Sequence, residues 1–241
     1  MPARADGGAR VSRWRRRRRS APDVSLLVDT ALGAGDPTGW FDPLYVEVAR
    51  DASLLPWHAD GAHPYLLDWL DTASPPPRPA HAVVVGCGLG DDAAELARRG
   101  WRVTAIDVAP TAIAWARDRH RGADIDWRVA DVLALPDELR GAADLLVEVH
   151  TVDHLPGVVR DAAMQSAAAA VAPSGTAVVV TLLATRSDLA DGWQGPPWAQ
   201  APSELAAYRA GGLLRVGLDH PDPDARGGME VRLVFARTPA G

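Results

Sequence analysis

Three glycines at alternate positions, followed by an aspartate at the end of the next apolar run, are the residues whose chemistry can be recognised first. Gly86, Gly88 and Gly90 follow a short apolar run, and Asp107 comes 17 residues after Gly90. Glycine has no Cβ, so a ligand can approach this backbone closely. A carboxylate at the end of the second strand of such a unit can accept hydrogen bonds from both hydroxyls of a ribose. The spacing therefore predicts a turn that binds a nucleoside.

Asp91 separates the two ligand classes that use such a turn. A dinucleotide site needs G-x-G-x-x-G, but Asp91 occupies the third glycine position counted from Gly86. Its carboxylate would face a pyrophosphate, which is unfavourable at the start of a helix. The residues thus favour a nucleoside ligand without phosphate. A nicotinamide-dependent dehydrogenase stays open through Asp107, as does a glycine-rich turn that binds no ligand.

The motif VVGCGLGD at residues 84–91, followed by AIDVAP at residues 105–110, resembles motif I and its sequel in class I S-adenosylmethionine-dependent methyltransferases. Many members of that family carry an acid where Val84 stands here. The resemblance implies S-adenosyl-L-methionine as the cofactor and places Asp131 at the adenine amino group. The full set of cofactor contacts that it implies is Trp57, Gly86, Cys87, Gly88, Gly90, Asp107, Val108, Asp131, Val132 and Glu148.

Two further stretches resemble the thiopurine S-methyltransferase-like branch of that family. Pro56, Trp57, Gly61 and Pro64 roughly follow a P-W-x-x-G-x-P pattern, with one extra residue on each side of Gly61. The tripeptide at residues 195–197, GPP, precedes the acidic start of a predicted helix. The resemblance spans about residues 40–237. It implies Trp57 as a cover over the ligand and a thiol or another soft nucleophile as the methyl acceptor.

Four ionisable residues stand at or just after the predicted fourth strand, and they are the catalytic candidates: Glu148, His150, Asp153 and His154. The carboxyl ends of parallel strands carry the ligand site in such folds, so these side chains are placed to move a proton. A thiolate acceptor needs no base, whereas an alcohol, phenol or amine does. A histidine beside a strand end is also often a hydrogen-bonded structural residue. Aromatic faces favour a sulfonium, and Trp57, Trp193 and Trp198 either line the site or anchor loops.

Strand and helix patterns alternate along the chain and predict an α/β fold. We expect a doubly wound, mostly parallel seven-stranded sheet of the Rossmann-like methyltransferase type, with an antiparallel C-terminal edge hairpin and an N-terminal helical cap. Strands are predicted at 82–85, 102–106, 125–130, 144–149, 176–183, 213–218 and 229–236, with a turn at 172–175 and a loop at 221–228. Helices are predicted from 91 and at 110–120, 156–171 and 204–210.

Three regions divide the chain. Residues 1–22 are predicted to be a basic disordered tail, residues 23–79 a cap segment with a proline-rich connector, and residues 80–241 the methyltransferase core. Within the cap, Leu44, Val48 and Ala52 are expected to form a helical stripe, and residues 65–70 a second helix. Residues 56–64 are too rich in turn-forming residues to be regular.

Charge and cysteine content restrict the partners. The chain has a net charge of −6, but residues 1–20 hold eight arginines and one aspartate, which leaves −13 for the remainder. An acidic body makes nucleic acid an unlikely partner and a small molecule the expected one. The single cysteine, Cys87, excludes an intramolecular disulfide and fits a cytoplasmic location. No apolar run suits a membrane helix, and no spacing of residues indicates a metal site.

Two alternatives stay open beside a small-molecule methyltransferase. The arginine-rich arm would suit a nucleic-acid methyltransferase, although VEVHTVDHLP stands where enzymes methylating exocyclic amines often carry N-P-P-Y or D-P-P-Y. A protein that binds S-adenosylmethionine without catalysis is the other alternative, since no single base is identified. The pattern of residues does not indicate an oligomeric state.

Overall fold

Seven strands form a single sheet in a computed structural model that describes residues 21–73, 80–185, 195–223 and 229–237. The strands are β1 (His81–Val85), β2 (Arg102–Asp107), β3 (Ile125–Val129), β4 (Ala143–Val149), β5 (Val171–Leu183), β6 (Leu213–Pro223) and β7 (Met229–Arg237). Their spatial order is β3-β2-β1-β4-β5-β7-β6. β1 to β5 are parallel, and β7 runs antiparallel between β5 and β6. This arrangement confirms the predicted fold class.

Seven α-helices accompany the sheet within the described residues. They are α1 (Val24–Gly33), α2 (Phe41–Val48), α3 (Pro64–Thr72), α4 (Asp91–Arg98), α5 (Pro110–Arg119), α6 (Gly157–Ala170) and α7 (Ala206–Ala210). Short 3-10 turns follow β3 and β4, at Val132–Ala134 and Val152–His154. None of the described helices is long and apolar enough to cross a membrane.

The buried strand β1 divides the core into two faces, because successive side chains of a strand point in opposite directions. Val83 and Val85 pack on the face covered by α6 and α7, where Met164 and Tyr208 are fully buried. Ala82 and Val84 pack on the opposite face, against α3, α4 and α5. The chain leaves β1 toward β2 on one side and later returns to β4 on the other. The carboxyl ends of β1 and β4 therefore border the crevice in which such sheets bind ligands.

The N-terminal helices form a cap that several polar contacts tie to the core. Oδ1 of Asp42 in α2 accepts the backbone N–H of Thr111 at 2.8 Å, next to the start of α5. Arg232 of β7 donates from Nη1 to the carbonyl of Tyr65 at 2.8 Å, and pairs with Asp68 of α3 at 2.7 Å. Trp40 and Leu44 are buried in a cluster that joins this cap to α5. The cap helices thus have fixed positions over the crevice.

Several predicted boundaries change in the structure. Helix α1 has no counterpart in the prediction, although Asp23 caps it by accepting the N–H of Leu26 at 3.1 Å. The predicted stripe ends earlier, since α2 stops at Val48 and Ala52 lies in a separate 3-10 turn. Residues 172–175 form an irregularity inside β5 rather than a turn before it. The loop predicted at 221–228 begins later, because β6 continues to Pro223, and residues 224–228 lie outside the described residues. Residues 1–20 of the predicted tail and Trp193 also lie outside them.

Candidate active site

The glycine turn after β1 adopts the conformation that its sequence predicts. Gly86, Gly88 and Gly90 have φ values of +61°, +52° and +84°, in the left-handed region that side chains rarely adopt. A Cβ on Gly86 would overlap the side chain of Thr151, and one on Gly90 would overlap the ring of Trp127. The turn therefore needs glycine both for its backbone angles and for the space around it. All three glycines line one cavity at the carboxyl ends of β1 and β4.

Asp107 fastens this turn to the end of β2. Its Oδ2 accepts the N–H of Gly88 and its Oδ1 accepts the N–H of Ala109, both at 2.9 Å. Burial raises the pKa of Asp107 to about 6, although both hydrogen bonds act to lower it. The carboxylate lines the cavity and keeps lone pairs for further donors, since each oxygen can accept more than one hydrogen bond.

The other predicted cofactor contacts, apart from Glu148, line the same cavity: Trp57, Cys87, Val108, Asp131 and Val132. Oδ1 of Asp131 accepts the N–H of Leu133 at 2.8 Å and so fixes the turn after β3. The pKa of the Cys87 thiol is raised well above its ordinary value, first by burial and then by the charge of Asp107. This thiol therefore stays protonated and is a packing residue rather than a nucleophile.

Glu148 lies behind the cavity, contrary to its predicted roles as a cofactor contact and a catalytic residue. Its side chain is fully buried and does not line the cavity. Oε1 accepts the N–H groups of Thr151 and Val152 at 2.7 and 3.1 Å, and Oε2 accepts the hydroxyl of Tyr208 at 3.0 Å. Burial, and then the charge of Asp153, raises the pKa of Glu148 to about 7. It holds the turn after β4 in place.

Asp153 is also fully buried behind the cavity wall, so it does not meet substrate as a catalytic residue would. It accepts hydrogen bonds from Nδ1 of His150 at 2.8 Å and from Nδ1 of His154 at 2.9 Å. The N–H of Leu182 donates to it at 3.1 Å. Burial opposes its ionisation, but the charge of His150 and the two histidine hydrogen bonds hold its pKa far below the ordinary value. It is a buried anion that orients two histidines.

The two histidines differ in what they can do. His150 uses both ring nitrogens, because Nε2 contacts Oε1 of Glu230 at 2.8 Å while Nδ1 contacts Asp153. Burial lowers the pKa of His150, but the charges and hydrogen bonds of Asp153 and Glu230 outweigh burial and raise it to about 10. A ring that is cationic at neutral pH and has both nitrogens bonded is not a base. This arrangement does not favour the predicted role of His150 as a base.

His154 uses only one ring nitrogen, Nδ1, in its contact with Asp153. Because Asp153 is an anion and only accepts, the ring proton of His154 lies on Nδ1, and Nε2 carries the lone pair. Within the described part of the chain, this Nε2 makes no hydrogen bond. The ring lines the cavity at 5.1 Å from that of Trp57 and 6.5 Å from that of Trp40, measured between centroids. Of the four catalytic candidates, His154 alone has the geometry of a general base.

Trp57 and Trp198, two of the predicted aromatic residues of the site, lie in different positions. Trp57 lines the cavity and packs edge-on against Tyr45 at 6.0 Å, so it forms part of the cavity wall under the cap. Trp198 does not line the cavity and instead packs against the cap cluster. Its backbone N–H donates to the carbonyl of Asp153 at 2.6 Å. Trp198 is thus an anchor for the segment that follows residue 195.

Three residues of the cavity region were not assigned a role from sequence: His63, Asp92 and Glu230. Oδ1 of Asp92 accepts the N–H of His63 at 2.8 Å, which ties the cap loop to the start of α4. Nε2 of His63 lies 3.6 Å from Oε1 of Glu230. The ligand atoms of His63, His150 and Glu230, two imidazoles and one carboxylate, all lie within 4.8 Å of one another. No sequence motif links positions 63, 150 and 230, so only the fold reveals this cluster.

Comparisons with known proteins agree with the glycine turn and the sheet. A family model for a methyltransferase domain matches residues 82–175. A ubiquinone biosynthesis O-methyltransferase from Caulobacter vibrioides is 30% identical over 213 residues, which cover 78% of this chain and 79% of the relative. Another, from Xanthomonas axonopodis pv. citri, is 32% identical over 135 residues, which cover 52% of this chain and 55% of the relative. The chain thus spans about half the length of that Xanthomonas relative.

Solved structures show the same fold. The N-methyltransferase NodS from Bradyrhizobium japonicum, in complex with S-adenosyl-L-homocysteine, has a TM-score of 0.63 at 23% identity. The alignment covers 84% of this chain and 99% of NodS. A TehB-like methyltransferase from Corynebacterium glutamicum has a TM-score of 0.59 at 19% identity and covers 82% of this chain and 98% of its own. The chain belongs to the class I S-adenosylmethionine-dependent methyltransferases.

Proposed function

We propose that this protein transfers the methyl group of S-adenosylmethionine to a small-molecule nucleophile bound beside His154. One observation carries the proposal: a single cavity is lined both by the glycine turn with Asp107 and by His154. The first group suits a nucleoside, and the second suits an acceptor that must lose a proton. A site that only stored the cofactor would not need the second group.

Different residues of the cavity would contact different parts of the cofactor. Asp107 receives the ribose hydroxyls, and the open backbone at Gly86 and Gly88 receives the methionine end. Asp131 and Val132 border the adenine. Val84 leaves no acid inside β1 for the methionine ammonium, so the acceptor for that group would come from elsewhere on the cavity wall, where the carboxylate of Asp92 lies. The bound cofactor supplies a methyl group on a positively charged sulfur.

His154 serves the acceptor. Its Nε2 takes the proton of the acceptor's O–H or S–H group as the acceptor attacks the methyl carbon in line with the sulfur. The bond from acceptor to methyl forms while the bond from methyl to sulfur breaks, and S-adenosylhomocysteine leaves. Asp153 stabilises the imidazolium that results, since its anion already accepts the Nδ1 proton at 2.9 Å. Trp57 and Phe41 exclude water from this part of the cavity.

The acceptor class is a thiol or another soft nucleophile by resemblance to the thiopurine S-methyltransferase-like branch. The curated relatives named above are ubiquinone biosynthesis O-methyltransferases, which supports an oxygen acceptor as well. Both classes carry a proton at neutral pH that His154 can accept, because free thiols titrate near pH 8.5 and phenols near 10. The choice between them rests on measurement of methyl transfer.

Calorimetric titration of the purified full chain tests the cofactor half. We expect S-adenosylmethionine and S-adenosylhomocysteine to bind and NAD not to bind. Transfer of a radiolabelled methyl group to a panel of thiols, phenols, halides and amines then tests the acceptor half. Binding of NAD alone, or of none of the three, would overturn the proposal. Tight cofactor binding without transfer to any member of the panel would favour the non-catalytic alternative.

A further inference from the structure

We infer that His63, His150 and Glu230 form a binding site for a divalent transition-metal ion on the wall of the cavity. The three side chains come from the cap loop, the turn after β4 and the start of β7. Their ligand atoms all lie within 4.8 Å of one another. Two imidazole nitrogens and one carboxylate oxygen, with further positions open, are a ligand set used by Zn²⁺ and Fe²⁺ in proteins.

The spacing of the ligand atoms suits such an ion. Oε1 of Glu230 lies 2.8 Å from Nε2 of His150 and 3.6 Å from Nε2 of His63. Ligands bound tetrahedrally at about 2.0 to 2.1 Å from zinc stand about 3.3 Å apart, which falls between the two observed distances. All three ligand atoms lie within 4.8 Å of one another, so the side chains would close around the ion to complete its coordination.

The surroundings of His150 support a metal role. Its Nδ1 donates to the buried carboxylate of Asp153 at 2.8 Å, which directs Nε2 toward the cluster. A carboxylate behind a histidine is the usual arrangement that orients metal-binding imidazoles. The backbone of His150 is left-handed, with φ of +49°, a strained conformation for a residue other than glycine. The fold thus holds this ring in place at some energetic cost.

The cluster is open on its cavity side. The side chains of His63, His150 and Glu230 are 15%, 22% and 31% exposed, and both histidines line the cavity. An ion there would keep free positions for water or for a bound small molecule. Asp153 joins this cluster to His154, whose ring centroid lies 6.5 Å from that of His150. A metal site would therefore stand next to the proposed acceptor position.

Without an ion, shared protons hold Glu230 close to His63 and His150. Nδ1 of His63 accepts the N–H of Tyr65 at 3.2 Å, so its ring proton lies on Nε2 and points toward Glu230. Metal binding replaces this proton and the one on Nε2 of His150. It also breaks the long cap hydrogen bond from Tyr65, which is weak compared with a metal–ligand bond.

Metal content after loading tests the inference without any methyl transfer. The full chain is stripped with a chelator, loaded with Zn²⁺, desalted and measured by mass spectrometry, and Co²⁺ is used for absorption spectra. We expect one Zn²⁺ per chain, and binding at least about tenfold weaker in Glu230→Gln and in His63→Gln, a loss of about 1.4 kcal/mol or more. His58→Gln is the matched control, because His58 lies in the same loop and cavity wall but outside the cluster.

Two results would overturn the inference. One is a wild-type chain that binds neither Zn²⁺ nor Co²⁺, which would leave the cluster as a hydrogen-bonded clamp between cap and sheet. The other is undiminished binding in both Glu230→Gln and His63→Gln, which would place the ion elsewhere. Thermal unfolding of each variant shows whether it is folded, and the two variants lie in different segments, so a folding defect in one leaves the other as the test.

Discussion

Asp153 accepts the Nδ1 proton of His154 at 2.9 Å, and in the proposed reaction this contact leaves Nε2 as the nitrogen that meets the acceptor. The carboxylate is fully buried and ionised, so the tautomer with the lone pair on Nε2 is the stable one. The same carboxylate binds His150 on its other side, where the ring is held as a cation. One buried carboxylate thus fixes the Nδ1 side of two neighbouring histidines.

Replacing His154 by Gln should slow methyl transfer to a phenol or alcohol by about 10²- to 10⁴-fold, the usual contribution of a general base. The affinity for S-adenosylhomocysteine should stay unchanged, because His154 serves the acceptor. A thiol supplied as its thiolate should lose far less, since it has no proton to give up. Equal losses with both acceptors would show that His154 acts only through packing.

Replacing Asp107 by Ala should weaken cofactor binding between about tenfold and ten-thousandfold. The change removes one or two charge-assisted hydrogen bonds to the ribose, each worth about 1.5 to 3 kcal/mol. It also releases the N–H of Gly88 from the carboxylate. Calorimetry with S-adenosylhomocysteine measures the loss, and Asp137→Ala, at an exposed position remote from the cavity, is the control. Unchanged affinity in Asp107→Ala would mean that the ribose lies elsewhere.

Cofactor affinity should fall as the pH drops below about 6. Burial raises the pKa of Asp107 to about 6, so the carboxylate is ionised above that pH and protonated below it. Only the ionised form accepts hydrogen bonds from both ribose hydroxyls with full strength. Titrations with S-adenosylhomocysteine between about pH 5 and about pH 8 measure the effect. The variant Asp107→Asn has no titrating group there, and it should lose this acidic decline. A decline of the same size in Asp107→Asn would assign it to another residue.

Glu148→Gln should change stability rather than catalysis. Glu148 has a folded pKa of about 7, raised from an unfolded value near 4.5, so the folded state binds its proton more tightly. The contribution of Glu148 to stability is therefore fully present below about pH 4.5 and is lost as the pH rises through about 7. Gln does not titrate. The free energy of unfolding of the variant, relative to that of wild type, should therefore rise by on the order of 1 to 3 kcal/mol between acidic and mildly basic pH. Denaturant unfolding measures this change. A loss of methyl transfer by more than about tenfold in a folded Glu148→Gln protein would restore its catalytic role.

The sheet and the glycine turn could be predicted from the sequence because both depend on local signals. β1 and β4 are short apolar runs that are buried on both faces, and the glycine turn is contiguous with β1. Helix α1 was missed because Asp23 and Asp29 interrupt its apolar pattern. In the structure Asp23 is its cap and Asp29 faces solvent.

The acceptor half depends on side-chain direction and on distant contacts, which spacing does not encode. Glu148 and His154 both stand at or just after the end of β4, yet one points behind the cavity wall and the other into the cavity. The partner of His150, Glu230, lies 80 residues further along the chain. Only the antiparallel pairing of β7 with β5 brings it to the crevice.

The contacts that tie the cap to the core indicate which part of the cap moves when a ligand enters or leaves. Asp42 holds α2 against α5, and Arg232 holds α3 against β7, while Arg50 is paired with Asp118 at 2.6 Å. An opening that keeps these ties intact moves residues 51–62, the segment that carries Trp57 over the cavity. We therefore expect ligand exchange in the proposed reaction to displace this tryptophan-bearing loop, and loop opening would then limit turnover.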